Sequence, residues 1–313
     1  MKRYLVCHGI ALGLALGLAL GLAPGCSDKP VFTEPQILGG VSVEPEVLEQ
    51  GRHVYRRYCL TCHGAKGDGR GVSAFGQWPP PRDFRQAKFK FTGVQDRGLP
   101  SDEELKRVIA NGLKGTYMRP WILQPRELES VVQYLKTFSR EGKGFRSKRL
   151  KIKPPAIAPD PYTTSEQLAA ATAEGEELYH AMFQCSSCHP AYATPQQFAA
   201  WDALMRQDEP MAPVPKWSEN YRTVLLPPDF RRHQMRAVRT RKGPGGTVEH
   251  NPVDIYRAIA FGLQGPMPGY EHLGADKVWA VTHYVKSLAD GATLMAPEKP
   301  ADAAPPADAR LSE

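Results

Sequence analysis

Two pentapeptides carry the most legible chemistry in this chain: Cys59-Leu60-Thr61-Cys62-His63 and Cys185-Ser186-Ser187-Cys188-His189. Their spacing is that of a c-type haem attachment signal. Two thiols three positions apart can add to the two vinyl groups of a haem, and the imidazole that follows reaches the iron from one side. A single pentapeptide of this kind could be a thioredoxin-like redox pair, or half of a zinc site that happens to precede a histidine. Two of them, each with a methionine in a Gly-rich loop downstream, point to two covalently held haem c groups. Cys59, Cys62, Cys185 and Cys188 are the thioether candidates, with His63 and His189 as proximal iron ligands.

The chain has six cysteines, and the motifs use four. Cys7 and Cys26 lie in or just after the apolar N-terminal stretch, so nothing remains for a disulfide framework of the kind exported proteins use. Haem attachment of this type follows export, and the N-terminus reads accordingly. Lys2 and Arg3 form a positive n-region and residues 10–23 an Ala/Leu/Gly h-region, giving a signal peptide over residues 1–25. Leu22-Ala23-Pro24-Gly25-Cys26 resembles a bacterial lipobox, which makes Cys26 a lipidation candidate on the periplasmic side of a membrane. Simple cleavage after a small residue and an uncleaved anchor over residues 5–23 are the other readings. A single acyl chain binds membranes only marginally, so stable tethering needs more than one.

Removing residues 1–25 takes away Lys2 and Arg3 and no acid, so the formal charge falls from +7 to +5. That modest excess steers the chain toward acidic docking surfaces on redox partners, or toward anionic headgroups. It does not argue for nucleic acid, because no reading motif accompanies it.

The two motifs sit in an internal duplication. Gly51-x-x-x-Tyr55 precedes the first and Gly175-x-x-x-Tyr179 the second. Pro81-Arg82-Asp83-Phe84-Arg85 recurs as Pro227-Pro228-Asp229-Phe230-Arg231. The stretch from Arg107 to Gly115 recurs from Arg257 to Gly265, and Tyr134 recurs as Tyr284. Ser101-x-x-Glu104 predicts a capping box opening the middle helix of the first copy. Asn251-Pro252 predicts an N-cap with proline at the first helical position in the second. The final helices show helical periodicity: Leu128, Val131, Val132 and Leu135, then Val278, Val281, Val285 and Leu288.

This pattern resembles tandem class I cytochrome c, over about residues 43–139 and 170–290. The resemblance implies an all-α fold of two domains, each a few helices wrapped around a covalent haem. We divide the chain into domain 1 at 43–139, a basic and Pro-rich linker at 140–163 and domain 2 at 164–290, with a disordered tail at 291–313. His63 and Asp83 are 20 positions apart but His189 and Asp229 are 40 apart, so domain 2 carries a loop insertion at about 191–226. Thr194-Pro195-Gln196-Gln197 predicts a helix start there, with Phe198, Trp201, Leu204 and Met205 on one face. In the family the first and last helices cross at a glycine–aromatic contact, for which Gly51 with Tyr134 and Gly175 with Tyr284 are the candidates. The family also holds the proximal imidazole by a proline carbonyl, here Pro80 or Pro81, and Pro227 or Pro228.

The sixth ligand decides what such an iron can do. Methionine raises the potential and suits electron transfer, whereas an open position allows peroxide or oxygen chemistry. Met118 is the one methionine between Cys59 and Arg140, in a Gly115-Thr116-Tyr117-Met118 loop that resembles the family's Gly-Thr-x-Met-Pro; Arg119 stands where proline is usual. In domain 2, Met205, Met211, Met235 and Met267 compete with His233, His250, His272 and His283. The repeat selects Met267, in Gly265-Pro266-Met267-Pro268, and leaves His283 as a surface or packing residue and His233 and His250 as solvent-facing. The expected function is electron transfer between a redox donor and an acceptor, as a membrane-tethered carrier or a cytochrome subunit of a respiratory or dehydrogenase complex. A dihaem peroxidase-like enzyme with one open iron is the alternative; the Asp-Phe blocks and paired Met loops speak against it.

Overall fold

The computed structural model describes residues 30–94, 98–147, 152–194, 196–197, 216–218, 220–265 and 267–291. Cys7, Cys26, Met205, Met211, the expected helix after Gln197 and the tail beyond residue 291 lie outside them.

The described chain is mostly helical. Helix α1 (Pro45–Tyr58) runs into the one-turn α2 (Leu60–His63), and α3 (Asp102–Asn111) and α4 (Pro125–Lys136) follow. The second copy supplies α5 (Ser165–His180), α6 (Pro252–Phe261) and α7 (Ala275–Asp290). Pro45, Pro125 and Pro252 each stand in the first turn of a helix, where a missing N–H costs nothing. Gln124 with Glu127 and Thr164 with Gln167 form reciprocal capping boxes.

The first and last helices of each copy cross at glycine. A Cβ on Gly51 would lie 2.1 Å from the Ser130 carbonyl, and one on Gly175 would lie 2.1 Å from the Ala280 carbonyl. Only a bare Cα lets the backbones approach so closely. Tyr134 and Tyr284 lie beside these crossings, their rings 5.3 Å from Tyr55 and 5.4 Å from Tyr179. The crossings anchor two apolar cores, one around Val54, Tyr55, Leu105, Ile109, Val131 and Val132, the other around Tyr179, Ile255, Trp279, Val281 and Val285.

Three features depart from the sequence reading. The structure adds three antiparallel two-stranded ribbons: β1 (Gln36–Leu38) with β2 (Val41–Val43), β3 (Lys216–Ser218) with β4 (Thr223–Leu225), and β5 (Thr240–Lys242) with β6 (Val248–His250). Each strand has three residues, too few for an alternating pattern to register. Ser101 Oγ accepts the Glu104 N–H at 3.4 Å, but the Glu104 carboxylate does not return to the cap. It is buried, accepts the Gly93 N–H at 2.6 Å, and pairs with Arg107 (3.0 Å) and Arg257. Within residues 140–163, Phe145 is buried in the first core, Ile157 and Tyr162 pack on the second, and the Ala158 carbonyl accepts Trp279 Nε1 at 3.0 Å.

The described residues from 34 to 291 belong to one compact unit, and contacts join its two halves. Arg107 and Arg257, equivalent in the repeat, converge on Glu104. Lys114 and Gln264, also equivalent, each reach across. The Lys114 N–H donates to the Arg236 carbonyl at 2.8 Å, while Gln264 Oε1 accepts the Phe89 N–H at 2.7 Å and its Nε2 donates to the Gly98 carbonyl at 2.8 Å.

Candidate haem sites

Helix α1 delivers the first motif. The Cys59 N–H closes the helix on the Tyr55 carbonyl at 2.8 Å, and the His63 N–H bonds the Cys59 carbonyl at 2.8 Å, so both cysteines and the histidine occupy one turn. Tyr55 Oη donates to the Gly64 carbonyl at 2.7 Å and pins the start of the next loop. That loop returns through Phe84, whose N–H bonds the Gly67 carbonyl at 2.7 Å. Its return brings the Arg82 carbonyl to 3.1 Å from His63 Nδ1. A carbonyl can only accept, so Nδ1 carries the proton and Nε2 keeps its lone pair for a metal. The expected acceptor was Pro80 or Pro81; the chain uses the next carbonyl along. Phe84 stacks on the His63 ring at 4.4 Å and 21°.

The second motif has the same arrangement. His189 Nδ1 lies 3.0 Å from the Pro228 carbonyl, one of the two expected acceptors, and Phe230 stacks on the ring at 4.8 Å and 23°. Tyr179 Oη donates to the Pro190 carbonyl at 3.1 Å. This accounts for proline where the first copy has Gly64. The position contributes its carbonyl, which any residue has, and glycine is needed only in the first copy, where φ is +78°.

Burial pushes His63 down to about 4, and it also depresses His189, so both imidazoles are held neutral. Burial pushes the Cys59 and Cys185 thiols up to about 12. A redox-active pair or a thiolate metal ligand needs the opposite shift. Among the described residues no cluster of three or more His, Cys, Asp or Glu could hold a metal ion. Paired cysteines beside an imidazole whose Nε2 keeps its lone pair fit thioether attachment and axial ligation. The buried Nε atoms of Arg82 and Arg222 and the Tyr221 hydroxyl have no hydrogen-bond partner in the protein, and such donors suit a carboxylate-bearing group such as haem.

The methionine loops also correspond. Gly112 (φ +63°) and Gly262 (φ +67°) end the middle helices, and a Cβ on either would lie 2.6 Å from the carbonyl of the methionine, Met118 or Met267. The Leu113 N–H bonds the Met118 carbonyl at 2.8 Å, and the Leu263 N–H bonds that of Met267 at 3.1 Å. Both methionines are partly buried against the core of their own half. Thr116 Oγ1 steadies the first loop, donating to the Leu113 carbonyl at 2.7 Å and accepting the Met118 N–H at 3.1 Å. Arg119 is exposed.

Of the competing side chains of the second half, those among the described residues have other surroundings. Met235 is core. His233 Nδ1 accepts the Asp229 N–H at 3.0 Å, and His272 is exposed. His250 is not solvent-facing: it is buried, with Nδ1 2.9 Å from Asp290. His283 is a packing residue, 3.0 Å from Asp160 and stacked on Trp279. Sequence reasoning marked the Asp-Phe blocks as repeats but missed that their phenylalanines stack on the motif histidines. The recurrence of an aromatic at a fixed place after the motif was the available signal.

Residues 46–135 match the family model described as cytochrome C oxidase, cbb3-type, subunit III. Among solved structures, the chain is similar to one from the Kuenenia stuttgartiensis reducing HAO-like protein complex. They share 27% sequence identity at a TM-score of 0.55, over 77% of this chain and 96% of that one. No curated protein matches. These similarities, with the mostly helical fold, support a cytochrome c that transfers electrons through covalently bound haem.

Proposed function

We propose that this chain is a dihaem electron carrier, or the cytochrome subunit of a redox complex, held on the periplasmic side of a bacterial membrane by a lipid on Cys26. The observation that carries the count of two is the recurrence, at the second motif, of the whole arrangement around the first: imidazole on carbonyl, phenylalanine on imidazole, and glycine-bounded methionine loop. Haem at each site supplies a one-electron couple, and methionine ligation raises its potential. The protein's part is to hold and orient. The Arg82 and Pro228 carbonyls fix the rings of His63 and His189, Phe84 and Phe230 pack against them, and Met118 and Met267 are the second axial ligands. The similarity to a chain of a HAO-like complex favours a redox protein as partner, and the positive charge favours one with an acidic docking surface. Among the described residues no helix is long and apolar enough to cross a membrane.

Mass spectrometry of the denatured mature protein should show two haem increments. The oxidised protein should show the near-infrared sulfur-to-iron band at two-haem intensity, and Met118→Ala and Met267→Ala should each remove about half of it and lower one potential. A single increment would sink the dihaem reading. A high-spin resting iron that turns over peroxide would replace the carrier with a peroxidase. Cys26→Ala should release the protein into the soluble fraction.

A further inference from the structure

The insertion that lengthens the second half has no counterpart in the first, and its described end is the ribbon β3–β4. The turn of that ribbon reaches into the first half. Arg222 Nη2 donates to the Gly69 carbonyl at 3.2 Å and to the Pro81 carbonyl at 3.1 Å. The Arg82 guanidinium lies 4.6 Å over the Tyr221 ring and donates to the Asn220 carbonyl. Lys88 Nζ reaches Asn220 Oδ1 at 2.9 Å. Gly69, Pro81 and Arg82 all belong to the loop that follows His63, and Arg82 supplies the carbonyl on His63 Nδ1.

The other side of the turn rests on its own half. Tyr221 is buried, and a Cβ on Gly265, two residues before Met267, would come within 3.2 Å of its ring. The turn is therefore wedged between one methionine loop and the opposite proximal loop. Arg222 holds φ at +48°, a left-handed conformation that favours glycine, so its long side chain stands there against the backbone's preference. At the second site the equivalent acceptor belongs to Pro228, which has no side-chain donor to be gripped in this way.

We propose that Arg82 is the positioning residue for His63, locked by residues 220–222, so that the insertion of one half sets the axial imidazole of the other. This rests on the reading of His63 as an iron ligand. The hydrogen bond on Nδ1 sets both the orientation and the basicity of such a ring, and a carbonyl whose own residue is clamped keeps that bond fixed.

The test uses the full-length holoprotein. Arg222→Gly suits the left-handed backbone, so the turn keeps its shape while both bonds to the loop are lost. Paramagnetic NMR should then show solvent exchange of the His63 Nδ1 proton faster by about tenfold, the scale of one charged hydrogen bond. One of two resolved potentials should shift while the other stays. Arg222→Lys should restore part of both effects. Arg82→Lys keeps the carbonyl and the charge but removes the planar stack, and should give the same changes at smaller size. Unchanged exchange and potentials in Arg222→Gly and Arg82→Lys, or equal shifts at both sites, would overturn the proposal. Haem counting on the wild type separates this from the dihaem reading: one haem at His63 would sink that reading and leave the exchange comparison intact.

Discussion

The two halves make the same contacts on their motif histidines, a carbonyl on Nδ1 and a stacked phenylalanine, with different side chains behind them. In the first half the motif aspartate is satisfied locally: Asp83 accepts the Arg85 N–H at 3.0 Å and pairs with the Arg85 guanidinium at 2.8 Å. Burial works to raise the Asp83 carboxyl, but Arg85 outweighs it and holds the group below the usual carboxylate range. In the second half Asp229 likewise accepts the Arg231 N–H at 2.9 Å, but the guanidinium's place is taken by the Tyr192 hydroxyl at 3.0 Å, which itself accepts the Phe230 N–H at 2.7 Å. His233 receives the Asp229 N–H. The site thus depends on a carbonyl, a stacked ring and a bare Cα at fixed places. The groups that brace those places are exchangeable.

The largest effect should come where the halves are most alike. Gly51→Ala and Gly175→Ala each force a Cβ to 2.1 Å from a backbone carbonyl, so each should cost about 3 kcal/mol or more, read by denaturant unfolding. A large cost at one crossing and none at the other would break the correspondence between the copies. Phe84→Leu and Phe230→Leu should come next, at about 1–2 kcal/mol each, because both lose an aromatic face against an imidazole.

The braces should separate the copies. Tyr192→Phe should cost about 1–2 kcal/mol, since it leaves the buried Phe230 N–H without its acceptor. Arg85→Ala should cost under about 1 kcal/mol, because the Arg85 side chain is 40% exposed and solvent screens the pair. Reversal of that order in thermal unfolding would show that the local brace is the stronger one.

The smallest effect is an additional pH dependence in the second half, beyond that of the buried motif histidines both halves share. Burial lowers His180 and His250 below their ordinary value of 6.5. As pH falls below about 6.5 the unfolded chain takes up these protons before the folded one does. Their contribution is therefore full above that pH and is lost as the folded histidines titrate. Amide hydrogen exchange of the holoprotein at pH 7 and pH 5 should show protection falling more in α5 and α7 than in α1 and α4. Equal loss in both halves would assign the effect to groups the copies share.

Much of this was legible because it rests on residue type at a fixed spacing. Cys-x-x-Cys-His, the glycines at the crossings, Asn251 before Pro252 and the reciprocal Thr194–Gln197 cap all announce themselves, and the last two occur as hydrogen bonds of 3.2 Å and 2.8 Å. What escaped was set by groups without a signature. The carbonyl on His63 belongs to Arg82 rather than a proline because every residue has a carbonyl and only the path of the loop selects one. Glu104 turns from its cap because Arg257 arrives from 153 positions away. His250 is buried because Asp290, 40 positions on, accepts its ring and backbone N–H groups.

The join between the halves has a consequence for how strongly they must attract one another. Two separate proteins meeting through contacts such as the shared Glu104 and the bonds from Arg222 would have to repay the loss of translational freedom each time they met. Joined in one chain, each half meets the other at an effective concentration near the millimolar range, whatever the protein concentration. The pair then persists at the lowest expression level.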